Sequence, residues 1–165
     1  MLVISDVSLV LSTLMCSLVA GLLFSYAIVV MPGLKELDDK SFIKAFQVTD
    51  RIIQDNHPLF LLVWLGSAVS IIIFSVSSFG KLDGIDFFLM LLALATYILG
   101  VQMPTIIIHL PLNNKLQKVD VDNSSEEELK AVRIEFEPRW NKSNEIRTFM
   151  ACSASLILIV LSLKL

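Results

Sequence analysis

Three stretches of this chain, Ser8 to Val30, Leu59 to Phe79 and Phe87 to Leu110, contain no Asp, Glu, Lys or Arg. At about 1.5 Å per residue, each is long enough as a helix to cross the roughly 30 Å hydrocarbon layer of a bilayer. Only helices and closed barrels satisfy their backbone hydrogen bonds there, and these stretches are too long and too unalternating for barrel strands. A fourth apolar block, Thr148 to Leu163, reaches only about 24 Å by the same arithmetic. A complete span must therefore recruit about one more turn from Asn144 onward, which puts Asn144 and Arg147 at membrane depth. The expectation is an all-α protein: a four-helix transmembrane bundle with spans at about 8–30, 59–79, 87–110 and 144–163, in one membrane domain covering 1–165.

Composition agrees: 55% of the 165 residues are hydrophobic and 18% charged, outside the range of soluble domains. The first apolar block lacks a basic leading region and is too long for the core of a secretion signal, so it reads as a retained span. A net charge of −3 and the lack of a basic run argue against a nucleic-acid partner. Cys16 and Cys152 fall in apolar segments, where a thiol packs as a small hydrophobe, and no disulfide is expected.

Between the first two spans, Met31-Pro32-Gly33 combines two helix breakers and is expected to end the first helix. Asp38 or Asp39 can then cap an amphipathic interfacial helix running to about Asn56. Phe42, Phe46, Thr49 and Ile53 follow helical spacing on one side of it, and Gln47, Arg51 and Gln54 form a polar stripe on another. Such a helix can lie at the membrane surface and cap the bundle. Pro58 suits the first turn of the second span, with His57 at the membrane entrance. Gly80 to Asp86 reads as a tight turn between antiparallel neighbours. Pro104 removes a backbone hydrogen bond from the third span and leaves a carbonyl near Gly100 in need of a partner. Ser125 with Glu128 forms a capping box for a helical segment before span four, which Pro138 is expected to break or bend.

The two long connections, with Arg147 at the entrance to span four, hold eleven of the thirteen Lys and Arg residues, against Lys81 and Lys164 on the opposite side. The positive-inside rule then puts both long connections in the cytoplasm and both termini across the membrane.

This topology gathers His57, His109, Gln47, Arg51, Asn113, Trp140, Asn144 and Arg147 at one end of the bundle. Trp140, Asn144, Arg147 and Ala151 share one helical face, and Gln102 and His109, seven residues apart, share another. Ionisable groups at membrane depth are costly and usually serve a substrate, ion or proton, so the functional reading is a pocket. The structural alternative has Arg147 snorkelling to the headgroups, Trp140 in an aromatic belt and the Asn side chains tying helices together. Two His with Asp50 or Asp55 nearby could in principle bind metal, but no paired metal-ligand spacing occurs and no metal site is expected. Nor is there a Ser-His-Asp order, a glycine-rich phosphate loop or a haem-attachment motif.

Several segments together carry a resemblance: Phe24-Ser25-Tyr26 with Met31-Pro32-Gly33-Leu34, Phe42 to Gln47, Pro111 to Leu116, and Phe136 to Thr148. In these the chain resembles, over nearly its whole length, the anthrone-oxygenase-like family of small four-helix membrane proteins. That family commonly shows an Asn-x-Pro-x-Asn element after the third span, and a Trp, then His or Asn, then Arg-Thr element entering the fourth. Here Pro111 and Asn113 fit the first element, with His109 standing where Asn is usual, and Trp140, Asn144, Arg147 and Thr148 fit the second.

The resemblance implies the fold and, more loosely, an activity, since some members oxidise anthrones to anthraquinones with molecular oxygen, without metal or flavin. No cofactor is therefore expected. On that reading His109 or His57 is the base, Arg147 with Asn113 and Asn144 stabilises the enolate, and Trp140 stacks on the substrate, with Gln47, Arg51 and Gln102 as further binding residues. The alternative is a non-enzymatic membrane protein that binds a lipid or a partner subunit. A transporter is disfavoured by the lack of internal repeats unless the chain forms a homo-oligomer.

Overall fold

The computed structural model describes residues 4–164, all helix and turn within that range. Five helices succeed one another: α1 Ile4–Lys35, α2 Asp39–Gln54, α3 Pro58–Ser78, α4 Gly84–Gln117 and α5 Glu126–Lys164. All but α2 are long and apolar enough to cross a membrane, as in a multi-pass integral membrane protein. Side by side, the four long helices run in the order α3, α1, α5, α4, and the ring closes only lightly between α4 and α3.

With 21 residues, α3 measures about 31 Å and matches the hydrocarbon thickness. The others are longer: α1 has 32 residues, α4 34 and α5 39, or roughly 48 to 58 Å. The tight turn after α3 and the ion pair of Lys164 with Asp86 mark one end of the bundle. The excess length therefore projects beyond the other end, where α2 packs against it.

Two cores result. The membrane core holds Cys16, Val19, Leu23, Ile71, Phe74, Met90, Tyr97, Leu158 and Leu161. Lipid removes the hydrophobic drive for such a core, so close packing of small side chains has to hold it. Ser12, Ser67, Ala93, Ala151 and Ala154 are fully buried along the helix contacts, and the Tyr97 hydroxyl donates to Ser67 Oγ at 2.6 Å. The second core, beyond the membrane, joins Met31 of α1, Phe42, Ile43 and Phe46 of α2, Leu112 and Leu116 of α4, and Leu129, Phe136 and Trp140 of α5.

Prolines do not end helices here. Tyr26–Val30, Ile98–Gln102 and Thr105–His109 are π turns, each finishing two residues before a proline: Pro32, Pro104 and Pro111. In each, the residue preceding the proline bonds to the carbonyl five residues back: Met31 to Tyr26, Met103 to Ile98, Leu110 to Thr105. The widened turn gives the ring room that an α-helical carbonyl four residues back would deny it. Thr105 Oγ1 also donates to the Val101 carbonyl at 2.7 Å, supplying a side-chain partner in the stretch where one was needed. The first helix accordingly runs past Met31-Pro32-Gly33 to Lys35, contrary to the expected stop. Of the break or bend expected at Pro138, the break does not occur, and α5 passes through it. Pro138 and Ile134 lie on the exposed face, where water can reach the freed carbonyl, while Phe136 and Trp140 are buried on either side.

Local capping follows the sequence closely. Asp38 caps α2, accepting from Ser41 N at 2.9 Å and Ser41 Oγ at 2.7 Å, and these bonds hold its carboxyl below the usual range. At the head of α5, Ser125 N donates to Glu128 Oε2 at 2.8 Å and Glu128 N to Ser125 Oγ at 3.3 Å, a reciprocal capping box. Asn56 takes a left-handed conformation, φ 60°, to turn the chain from α2 into α3.

Candidate functional site

Between the two cores lies a cavity of about 500 Å³. All five helices line it: Leu23 and Tyr26 of α1, Phe46 and Asp50 of α2, Trp64 and Leu65 of α3, Gln102, Thr105, His109 and Asn113 of α4, and Trp140, Asn144 and Arg147 of α5. It forms where α3 and α4, joined by a tight turn at the far end, stand apart. Both α4 π turns and the α1 π turn contribute to its wall through Gln102, Thr105, His109 and Tyr26. A π turn shifts the register of side chains along a helix and so re-aims them.

Trp140 is the centre of the polar wall. Its ring lies 5.0 Å from His109, 5.6 Å from Phe46 and 5.7 Å from Tyr26, centroid to centroid. Its indole N–H donates to Asn113 Oδ1 at 3.0 Å, and Asn113 Nδ2 in turn donates to Asp50 Oδ1 at 2.7 Å. Asp50 also accepts from Gln54 at 2.5 Å and Gln117 at 3.0 Å. Three carboxamides thus stand around a carboxylate that is 3% exposed and has no cationic partner among the described residues.

Arg147 is the complementary case. Its guanidinium, 4% exposed, donates to Thr105 Oγ1 at 2.8 Å and Asn144 Oδ1 at 2.7 Å, and it sits 6.0 Å from the Trp140 ring. Asn144 is held by its own bond to the Leu23 carbonyl at 3.1 Å. Both acceptors of Arg147 are neutral, and none of the ion pairs among the described residues involves it. A buried charge in this state is expensive, because neutral dipoles replace only part of the lost hydration.

Three buried polar atoms of the cavity wall have no partner: Arg147 Nε, His109 Nδ1 and Gln102 Nε2. The other His109 nitrogen, Nε2, is 2.9 Å from Ser143 Oγ. Native interiors leave few such atoms orphaned, so water or a ligand within the cavity is the partner open to them.

Of the residues singled out in the sequence, Gln102, His109, Asn113, Trp140, Asn144 and Arg147 share this cavity. Gln47, Arg51 and His57 are outside it. Gln47 donates to the carbonyls of Leu116 at 2.8 Å and Val119 at 3.0 Å and ties α2 to the end of α4. Arg51 is exposed, and His57 is exposed at the head of α3 without a side-chain cap bond. From α2 it is Gln54 of the polar stripe, with Asp50 beside it, that reaches the cavity; in the sequence Asp50 reads only as a possible metal ligand. Thr105 and Trp64 sit within apolar runs that give no signal, and Tyr26 stands out in the sequence only through the resemblance of Phe24-Ser25-Tyr26. Among the described residues, no group of three or more His, Cys, Asp or Glu side chains is placed to hold a metal ion.

Residues 50–157, which contain every wall residue of α3, α4 and α5, match the family model described as anthrone oxygenase. The chain belongs to the anthrone oxygenase family. No curated protein and no solved structure matches it. The family match begins at Asp50 and takes in His109, Trp140 and Arg147, while Tyr26 and Phe46 come from the part of the chain before it.

Proposed function

We propose that this anthrone oxygenase family member is an oxygenase that converts a phenolic, anthrone-like methylene to a carbonyl with molecular oxygen, using its own side chains for the proton chemistry. The observation that supports this most is the meeting of an unpartnered imidazole nitrogen, His109 Nδ1, and an unpaired guanidinium N–H, Arg147 Nε, beside the Trp140 ring in one cavity. In the tautomer whose Nε2–H donates to Ser143 Oγ, the one this reading requires, His109 carries its lone pair on Nδ1 and can accept a proton there.

The reaction divides into four parts. His109 removes one proton from the methylene carbon, and the charge moves through the ring onto the conjugated oxygen. Arg147, fixed by Thr105 and Asn144, hydrogen-bonds that oxygen in a dry setting where such stabilisation is strong. The carbanion gives its electron pair to oxygen, forming a carbon–oxygen bond, and protonation yields a hydroperoxide. Loss of the second methylene proton and cleavage of the O–O bond release water and leave the carbonyl, so that one oxygen molecule converts CH2 to C=O plus H2O. Trp140 stacks on the substrate rings. Asn113 positions Trp140, and Gln102 Nε2 is a further donor to the bound molecule.

Turnover of a panel of anthrones by proteoliposomes tests the proposal. Arg147→Ala and His109→Ala are expected to lose most of the activity, and wild-type rates in both would refute the mechanism. A second reading, a non-enzymatic lipid binder, draws on the apolar lining of Leu61, Leu65, Ile106 and Leu110. Mass spectrometry of the detergent-purified protein separates the two, a co-purifying aromatic favouring the oxygenase and a phospholipid the binder. In either case the distribution of basic residues supports α2 and the long connections facing the cytoplasm.

A further inference from the structure

We infer that the cavity is reached sideways from within the bilayer, through a portal between α3 and α4, and that its ligand is a molecule dissolved in the membrane. This deepens the oxygenase proposal and rests on its reading of the cavity as a ligand site. The bundle is closed along α3–α1, α1–α5 and α5–α4 and is loosest between α4 and α3, the two helices that part at the cavity. Leu65 on α3 and Ile106 and Leu110 on α4 line the cavity, yet they are 58%, 59% and 43% exposed, so each faces both the cavity and the outside.

Their depth follows from α3. A helix that just matches the hydrocarbon layer has Pro58 at one boundary, so Leu65, seven residues on, lies about 10 Å below it. The α3 side of the portal therefore opens onto lipid, while Ile106 and Leu110, counted from the start of α4 at the far end, bring its other side up to about the level of Pro58. At the inner end stand the orphaned Gln102, His109 and Arg147 groups, which call for a polar head on the guest. An apolar ring system bearing a phenolic or enolic oxygen meets both demands: its body partitions into the bilayer, and its oxygen reaches Arg147. The competing route is from water, past Gln54, Asn56 and Asn114 at the polar rim.

The test uses Trp64→Phe protein, in which Trp140 is the remaining tryptophan of two, in phosphatidylcholine vesicles. Trp140 emission is titrated with a bromonaphthol, which partitions into the bilayer, and with a bromonaphthol sulfonate, which stays in water; bromine quenches only at close range. In a Cys152→Ser background, Ile106→Cys is then alkylated with a bulky maleimide. N-ethylmaleimide at Ile106→Cys serves as the small control, and the bulky reagent at Val76→Cys, 71% exposed on α3 and outside the cavity, as the positional control. The portal predicts saturable quenching by bromonaphthol, weakened about tenfold or more by the bulky adduct at position 106 and by neither control. Equal quenching by the sulfonate, unaffected by the adduct, would overturn the portal and leave the ligand site standing. Failure of both probes to quench the unlabelled protein would overturn the ligand site and the portal together.

Discussion

The indole N–H of Trp140 and the Asn113 carboxamide meet at 3.0 Å, and through that one side chain α4 fixes the orientation of the aromatic ring that α5 brings to the cavity. Because Asn113 also donates to Asp50, the ring, the carboxamide and the α2 carboxylate are set as a unit.

Asn113→Leu breaks that unit at its middle. It leaves the Trp140 N–H and one Asp50 oxygen short of partners inside the fold, at a cost of roughly 1–3 kcal/mol for each buried group left unsatisfied. A fall in the midpoint of thermal unfolding in detergent, partly reversed by Asp50→Asn on the Asn113→Leu background, is expected. An unchanged midpoint would show that water already serves these atoms.

Arg147→Met separates function from stability. Its guanidinium is buried on neutral partners, so removing the charge is expected to leave unfolding equal or more resistant while turnover falls by roughly 10²–10³, as when a donor to a developing oxyanion is removed. Marked destabilisation with turnover intact would make Arg147 a structural clamp.

Gly100 is placed where α4 packs against Met150 of α5. A Cβ there would lie 2.7 Å from Met150 Cγ and 2.8 Å from Met150 Cβ, near the root of that side chain, where rotation gives little relief. Gly100→Ala is expected to cost roughly 1–3 kcal/mol by overpacking and to recover in Gly100→Ala with Met150→Ala. Unfolding in detergent reports both, and a single variant as stable as wild type would contradict the close contact.

His57 and His109 are the two histidines of the chain, and the structure treats them differently. His57→Ala, at an exposed position outside the cavity, is expected to keep wild-type turnover, while His109→Ala loses it. The reverse result would move the base to the head of α3.

How far the sequence could lead depended on the kind of signal. The spans were legible because uncharged runs of that length have few soluble uses, and the capping box at Ser125 because its two bonds are local. The α5 stripe of Trp140, Asn144 and Arg147 was legible from periodicity alone. Periodicity does not say what covers a face, however, and so Gln47, which binds backbone at the end of α4, looked no different from Asp50, which reaches the cavity. The extension of α1 past Pro32 was hidden for another reason: a π turn absorbs the proline ring, and whether one forms depends on packing around it. Tyr26 and Thr105 owe their place at the cavity to such turns and carry no mark of it in the chain.

The proton transfer assigned to His109 can be followed without oxygen. Under anaerobic conditions in heavy water, proteoliposomes holding the wild-type protein are predicted to exchange the methylene hydrogens of anthrone for deuterium, seen by NMR, faster than empty vesicles, with the gain lost in His109→Ala and Arg147→Met. Exchange no faster than in empty vesicles, or undiminished in both variants, would contradict the account.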